Sequence, residues 1–232
     1  MSSFSARVVR STLEPANPWF SWSYVRDNSD TILERLREHV TLTVLTILIA
    51  LVIAVPLAIL ARQVRWLSGP ILGLSGVLYT VPSFALFALM APFTGYTKSR
   101  TVLIGLVIYA LLVLVRNTLV GLEGVPVDVQ EAARGMGYGA ARMFWQVELP
   151  VALPAIMAGI RIATVSTIAL VTVGVIIGHG GLGQLLFEGF NNNFFHAEIA
   201  VGAILCVGLA LVADGLLYTV TRMLSPWARG QR

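Results

Sequence analysis

Charged residues are scarce in this sequence. Of its 232 residues, 12% are Asp, Glu, Lys or Arg and 56% are hydrophobic, which gives a mean hydropathy of +0.80. A soluble globular domain carries about 25% charged residues. The shortage of charge therefore excludes an ordinary soluble domain and indicates that lipid is the solvent for much of the chain.

Lysine and cysteine are nearly absent as well. Cys206 is the only cysteine, which excludes an intrachain disulfide and a cysteine-based zinc site. Lys98 is the only lysine, and it does not stand in the G-x-x-x-x-G-K-[ST] pattern of a P-loop ATPase. The net charge of +4 comes from scattered arginines, which are typical of loops beside membrane spans. We therefore expect no metal site and no nucleic-acid partner.

Five apolar blocks dominate the chain, and each is predicted to cross the membrane as a helix, because a segment in lipid must satisfy its own backbone hydrogen bonds. The blocks comprise residues 40–60, 71–90, 101–115, 155–177 and 197–218. The third block is shorter than the roughly 20 helical residues that span the hydrocarbon core, so it either gains a turn from residues 117–119 or lies shielded by its neighbours. Pro56 and Pro82 predict kinks in the first two blocks. The sequence thus predicts an all-α integral membrane protein with five core transmembrane helices.

Polar segments flank this transmembrane domain, which extends over residues 40–222. Residues 1–39 are predicted to form an N-terminal arm that ends in a short amphipathic helix, with Asp30 as its cap. Residues 223–232 form a short tail. The distribution of Lys and Arg favours only slightly the orientation that places residues 116–154 in the cytoplasm.

A charged segment, residues 116–154, separates the third and fourth apolar blocks. Its apolar residues recur at helical spacing, with Val129, Ala132 and Ala133 on one face of a short helix. Asp128, followed three residues later by Glu131, resembles a capping box at the start of this helix. Glycines at 135, 137 and 139 predict a turn, and a second short helix is predicted at 140–147. The pattern indicates a helix–turn–helix element at a membrane face.

The residues of this element carry a family resemblance. Glu131-Ala132-Ala133-Arg134-Gly135-Met136-Gly137, followed by Val147-Glu148-Leu149-Pro150, resembles the EAA loop of permeases from ATP-binding cassette (ABC) importers. The family pattern is E-A-A, three residues, G, nine residues, I, one residue and L-P, and the spacing here agrees throughout, with Val147 in place of isoleucine. The resemblance implies a bacterial inner-membrane permease of the methionine-importer fold, with a cytoplasmic EAA loop, an outer N-terminus and an inner C-terminus.

The same resemblance implies a role for each matching residue and a set of partners. The residues implied in coupling to an ATPase are Glu131, Ala132, Ala133, Gly135, Gly137, Leu149 and Pro150. The implied partners are two P-loop ATPase subunits, a second identical or paralogous permease subunit and an extracytoplasmic substrate-binding protein, within membrane lipid. ATP and magnesium are then bound by the ATPase subunits, and this chain is expected to hold no cofactor and to catalyse no reaction.

Further segments are similar to the osmoprotectant branch of these importers, which carries glycine betaine, carnitine, choline or proline betaine. They are residues 79–86, 116–118, 159–161 and 178–183. An amino-acid importer of the methionine type is the alternative within the family. An ion-coupled secondary transporter and a membrane scaffold are the alternatives from other classes. Secondary transporters often contain internal repeats, which this sequence does not show, and neither class explains the EAA-like loop.

Three weaker signals complete the candidate residues. Tyr79, Pro82 and Phe84 lie in the kinked second span, where aromatic rings would suit a quaternary ammonium cation or would simply pack against lipid and neighbouring helices. Arg161 and Asp214 are predicted to pair within the membrane, because an unpaired charge there is costly. The G-x-G-x-x-G match at 178–183 follows a membrane span, so it predicts a tight turn rather than a nucleotide site, with His179 in solvent or in contact with a binding protein.

Overall fold

The computed structural model describes residues 17–227, so residues 1–16 of the predicted arm and 228–232 of the predicted tail lie outside the described residues. All regular elements of the described part are helices. In chain order these are α1 (Trp22–Asp27), α2 (Ser29–Gln63), α3 (Arg65–Thr80), α4 (Ser83–Thr94), α5 (Ser99–Glu123), α6 (Val127–Gly135), α7 (Ala140–Met143), α8 (Leu149–Val171), α9 (Gly183–Asn191) and α10 (His196–Leu224). A π-helical turn, Phe144–Glu148, joins α7 to α8, and a 3-10 turn, Thr172–Ile177, follows α8.

Within residues 17–227, four helical stretches are long and apolar enough to cross a membrane. They are Ser29–Gln63, Ser99–Glu123, Ala140–Ile177 and His196–Leu224. The α3–α4 pair makes a fifth span if its two helices are counted together. The prediction of an all-helical protein with five apolar spans is confirmed, and the structure corrects the bounds of each span.

The first correction concerns the start of the first span. The predicted short helix at the end of the arm and the first apolar block form one continuous helix of 35 residues. Asn28 occupies the cap position and makes no side-chain capping bond, while Asp30 lies in the first turn. The cap prediction at Asp30 was therefore wrong, and Pro56 lies inside the helix without ending it.

The second span is broken rather than kinked. Helices α3 and α4 meet at an angle of 99°. Val81 is extended, as the residue before a proline prefers, and Pro82 precedes α4 with φ of −56°. The Tyr109 hydroxyl of α5 donates a hydrogen bond to the Val81 carbonyl, which satisfies one backbone group freed by the break.

The third span is longer than its apolar block because packing extends it. Helix α5 continues to Glu123, so residues 116–123 belong to the span and not to the loop. Thr118, Leu119 and Leu122 are buried in this extension. A Cβ on Gly121 would lie 2.9 Å from the Ala152 carbonyl oxygen of α8, so the two helices are in close contact there.

The fourth and fifth spans also extend beyond their apolar blocks. Helix α8 begins at Leu149 rather than 155, and it follows α7 and the π-helical turn without interruption. Helix α10 extends from His196 to Leu224, beyond the predicted end at 218. These extensions lengthen the transmembrane helices with residues that were predicted to lie in loops.

Helix α5 is the centre of the bundle and packs mainly against α2 and α8. On α2, small residues face inward at intervals of about one turn: Ala50, Ala54, Ala58 and Ala61 are all fully buried. They pack with Leu114 and Val115 of α5. Close approach of this kind stabilises helix pairs in lipid, where the hydrophobic effect does not drive helix association.

The chain order divides the bundle into two ends. One end carries the C-termini of α2, α5 and α10 together with α6 and α7. The opposite end carries the start of α2, the α4–α5 connection, the glycine turn after α8, helix α9 and the start of α10. The candidate coupling residues therefore lie together at one end of the molecule.

Candidate functional site

Helix α6, residues Val127–Gly135, presents the EAA-like residues at the surface. Glu131, Ala132 and Gly135 are exposed, while Ala133 is only 2% exposed and faces inward. The sequence had placed Ala133 on the same face as Val129 and Ala132, and that prediction was wrong. The exposed face also carries Val129 at 41% and Met136 at 67% exposure, which gives α6 an apolar surface beside its acidic residue.

The start of α6 differs from the predicted capping box. Pro126 occupies the cap position with φ of −57°, and Asp128 lies in the first turn without a side-chain capping bond. Proline fixes φ near the helical value, so it begins the helix two residues before the predicted cap. Asp128 still places a negative charge in the first turn of the helix, where the helix dipole favours it.

The end of α6 is a Schellman motif built on Gly137. The Tyr138 N–H donates to the Ala133 carbonyl at 3.1 Å, and the Gly137 N–H donates to the Arg134 carbonyl at 2.9 Å. Gly137 has φ of +79°, a conformation that side chains disfavour, whereas Gly135 is helical. The predicted glycine turn is confirmed, and its conformational requirement falls on Gly137 alone among the three glycines at 135, 137 and 139.

Leu149 and Pro150 occupy a different place from the exposed residues of α6. Both are half-buried in the first turn of α8. Leu149 packs on a buried cluster of Leu122, Ala152 and Ile156. These residues anchor the base of the α6–α7 element to the bundle, so the EAA-like pattern combines an exposed surface with its structural support.

One ion pair at this end was not predicted from the sequence. Arg62, near the end of α2, places Nη2 2.7 Å from Oε1 of Glu148 in the π-helical turn. Their side chains are 22% and 13% exposed. The two residues are 86 positions apart, so no local pattern connects them. The available signal was that each charge lies at the end of a span that reaches the same side.

This ion pair borders a cavity of about 800 Å³ between the end of α2 and the α6–α7 element. Its apolar lining includes Leu122 and Phe144. Its polar lining consists of Arg62, Gln63, Gln130, Arg134, Tyr138 and Glu148. Open space therefore separates helix α6 from the end of α2.

The predicted pairing of Arg161 and Asp214 is confirmed. Arg161 of α8 donates from Nε to Oδ1 of Asp214 at 2.8 Å and from Nη2 to Oδ2 at 2.7 Å. The Tyr218 ring lies 5.2 Å from the guanidinium carbon. The pair borders a groove of about 570 Å³ between α8 and α10. Bidentate geometry satisfies both charges within the spans.

The three candidate pathway residues lie at the break in the second span. Tyr79 lies in the last turn of α3 and is 43% exposed, and Phe84 lies in the first turn of α4 and is 60% exposed. Pro82 separates the two helices. Tyr109, which the sequence did not single out, meets the Tyr79 ring edge-on at 5.8 Å. The break therefore holds an aromatic pair with one exposed ring.

The glycine turn after α8 is held by two histidines. Gly178 and Gly181 have φ of +83° and +53°, so the predicted tight turn is confirmed. His179 is not simply solvated: its Nδ1 lies 2.8 Å from Oε1 of Glu38. The buried His39 accepts the Leu182 N–H at Nδ1, at 3.2 Å, and therefore donates from Nε2 to the Ile168 carbonyl, at 3.0 Å.

Over residues 17–227, the acidic, histidine and cysteine side chains form no group suited to a metal ion.

Comparison with known proteins gives consistent results. Residues 38–229 match the family described as binding-protein-dependent transport system inner membrane component. The chain is 37% identical over 214 residues to the osmoprotectant import permease protein OsmW of Salmonella typhimurium, covering 88% of this chain and 96% of that protein. It is 33% identical over 204 residues to the choline transport system permease protein OpuBB of Bacillus subtilis, covering 88% and 93%. An inward-facing structure of the MetNI methionine ABC transporter superposes with a TM-score of 0.73 at 21% identity, covering 83% of this chain and 96% of that chain.

Proposed function

Because this chain belongs to the family of binding-protein-dependent transport system inner membrane components and is an ABC importer permease, we propose that it carries a quaternary-ammonium osmoprotectant across the bacterial inner membrane. The cargo is glycine betaine, carnitine, choline or proline betaine. Relatives at 30–37% identity are named as permeases for osmoprotectants, choline, carnitine or glycine betaine, which supports this class of cargo. The likeness to the methionine transporter, at 21% identity, concerns the fold alone.

The chain works in this proposal as one of two permease subunits that open alternately to the outside and the inside. Two ATPase subunits bind ATP and magnesium and dock at the end of the bundle that carries α6. An extracytoplasmic binding protein delivers the cargo at the opposite end. This arrangement places the N-terminus outside and the C-terminus inside the cell.

The observation that carries the proposal is the exposed EAA-like helix. A short helix with an apolar face suits insertion into a groove of a partner, and α6 has Val129, Ala132 and Met136 on such a face. Glu131, at the same surface, is available for a charge-assisted hydrogen bond. The Schellman motif at Gly137 and the continuous α7–α8 helix connect this surface rigidly to the fourth span.

The aromatic residues at the broken second span support the class of cargo. A quaternary ammonium group has no N–H to donate, so the faces of aromatic rings are its natural partners. Tyr79 and Phe84 are exposed at a break in the helix, beside the partly buried Val81. Irregular backbone within a membrane protein is tolerated where it is covered by protein or lines a water-filled path, which fits a place on the translocation route.

Reconstitution tests the proposal directly. The permease is placed in liposomes with its ATPase, and uptake of labelled glycine betaine, choline and methionine is measured with the binding protein outside and ATP inside. We expect ATP-dependent uptake of the quaternary ammonium compounds and none of methionine. An ATPase variant that lacks its P-loop lysine provides the control. Uptake of methionine alone would overturn the proposed cargo, and uptake driven by an ion gradient without ATP would overturn the proposed energy source.

A further inference from the structure

The π-helical turn between α7 and α8 is the joint of the coupling element. The helix from Ala140 to Ile177 is continuous through this turn, so any movement of α7 passes into the fourth span. A π-helical turn inside an α-helix is wider than its neighbours and is found frequently at functional sites. Glu148 is the last residue of the turn, at the variable position of the EAA-like pattern between Val147 and Leu149.

The charges around the adjoining cavity are unbalanced. Arg62 on α2 and Arg134 on α6 both line it, and Glu148 is the one carboxylate among its lining residues. In this structure Glu148 binds Arg62, with 2.7 Å between Nη2 and Oε1. Among the residues that the structure describes, Arg134 has no ion-pair partner. Two cations, one from a membrane span and one from the coupling helix, therefore share a single potential anion.

We propose that Glu148 is a positioning residue that exchanges its ion pair from Arg62 to Arg134 when α6 moves into the cavity during transport. The inference rests on the proposed function, since the ATPase subunits supply the movement. The cavity of about 800 Å³ provides the space for it. Each end state keeps one ion pair at the joint, so neither leaves Glu148 as an uncompensated, largely buried charge.

The exchange gives the joint two discrete arrangements instead of a continuous range. With Glu148 on Arg62, the base of the coupling element is fixed to the first span. With Glu148 on Arg134, the joint is released from the first span and fixed to α6, so the fourth span moves with the coupling helix. A bistable contact of this kind converts a small push into a complete transition between two states.

Coupling efficiency in reconstituted transporters tests this proposal, measured as substrate imported per ATP hydrolysed. Glu148→Gln, Arg62→Gln and Arg134→Gln are each expected to lower this ratio by about tenfold, the effect that loss of a charge-assisted hydrogen bond has on an equilibrium. Gln63→Ala is the matched control, because Gln63 lines the same cavity beside Arg62 without charge. We expect it to leave the ratio unchanged. An unchanged ratio in the three charge variants would overturn the proposal.

A charge swap distinguishes an Arg62–Glu148 ion pair that exchanges during transport from one that stays fixed. Arg62→Glu with Glu148→Arg restores the pair between α2 and the joint but places an arginine where Arg134 must bind. We expect the swapped protein to regain the membrane level and thermal stability of the wild type while its coupling ratio stays low. Full recovery of the ratio would show a fixed ion pair and overturn the exchange. Absence of ATP-driven uptake by the wild type would instead contradict the proposed function.

Discussion

Gly137 is the residue whose backbone conformation fixes the end of the coupling helix. Its φ of +79° costs a side chain about 1 kcal/mol or more, although a Cβ there would meet no atom within 4 Å. We predict that Gly137→Val abolishes uptake while the permease still enters the membrane. Gly135→Ala is the matched control, since Gly135 is also in open space but helical, and it should transport normally. Equal uptake by both variants would contradict the assignment.

Glu131 is the one charged residue of the E-A-A triplet, and it is exposed on α6. A charge-assisted contact buried in the ATPase interface would contribute roughly 1.5–3 kcal/mol. We predict that Glu131→Lys abolishes uptake and weakens docking of the ATPase, as measured by its co-purification with the permease. Asp128→Asn provides a comparison on the same helix, outside the EAA-like pattern. Normal uptake by Glu131→Lys with the ATPase fully bound would remove Glu131 from the coupling site.

The Arg161–Asp214 pair acts, in our interpretation, on assembly rather than on choice of cargo. Asp214→Asn leaves Arg161 without a counter-charge inside the spans, which is unfavourable in lipid. We expect a lower thermal unfolding midpoint in detergent and less protein in the membrane, with the order of preference among substrates unchanged. The swap Arg161→Asp with Asp214→Arg should recover much of the lost stability. A change in substrate order at normal stability would instead place the pair on the translocation path.

At the scale of helices, the sequence predicted the number of spans better than their shapes. Hydropathy identified five apolar blocks, because each must remain apolar to lie in lipid. The sequence predicted a bend at Pro82 but not the 99° angle, and it allowed the third span an added turn at 117–119 but not the extension of α5 to Glu123. The Tyr109 hydroxyl bonds the Val81 carbonyl at the break, and Gly121 lies close to α8 along the extension. These contacts join distant segments of the chain and leave no local pattern in the sequence.

In the segment from α6 to the π-helical turn, the sequence likewise predicted what is local and missed what depends on long-range packing. The glycine turn was visible because Gly137 carries a local backbone requirement. The inward side of Ala133 and the Arg62–Glu148 pair depend on how α6 and the π-helical turn lie against the bundle. His39 at the opposite end was missed similarly, since a buried histidine that holds a turn resembles any polar residue beside a span.

Close contact between α5 and α8 gives a prediction at the scale of helix packing. A Cβ on Gly159 would lie 2.5 Å from Cβ of Asn117, so Gly159→Ala must push the two helices apart. Overpacking of this kind costs typically 1–3 kcal/mol. Gly208→Ala on α10 is the control, because a Cβ there would meet no atom within 4 Å. The thermal unfolding midpoint in detergent should fall for Gly159→Ala and stay level or rise for Gly208→Ala, since alanine favours a helix interior over glycine. Equal midpoints would show that the helices are not in tight contact.

At the scale of the whole molecule, the proposed docking of the ATPase subunits implies one orientation in the membrane. The EAA-like element and the turn that precedes α10 lie at opposite ends, and the proposed docking of the ATPase subunits requires the first of these to face the cytoplasm. The positions of Lys and Arg barely favour this orientation, so the cytoplasmic location of the EAA-like loop rests on the family resemblance. Opposite ends also mean that one residue from each is enough to determine the topology.

Cysteine labelling in intact cells provides that measurement, in a Cys206→Ser background without other cysteines. Tyr138 follows the Schellman turn at one end, and Phe194 is 61% exposed at the other. We predict that a membrane-impermeant maleimide labels Phe194→Cys from outside and labels Tyr138→Cys only after the membrane is opened. Labelling of both variants in opened membranes shows that both sites are reachable. Labelling at position 138 in intact cells would place the EAA-like loop outside, where no ATPase subunit reaches it, and would overturn the proposed coupling together with the topology.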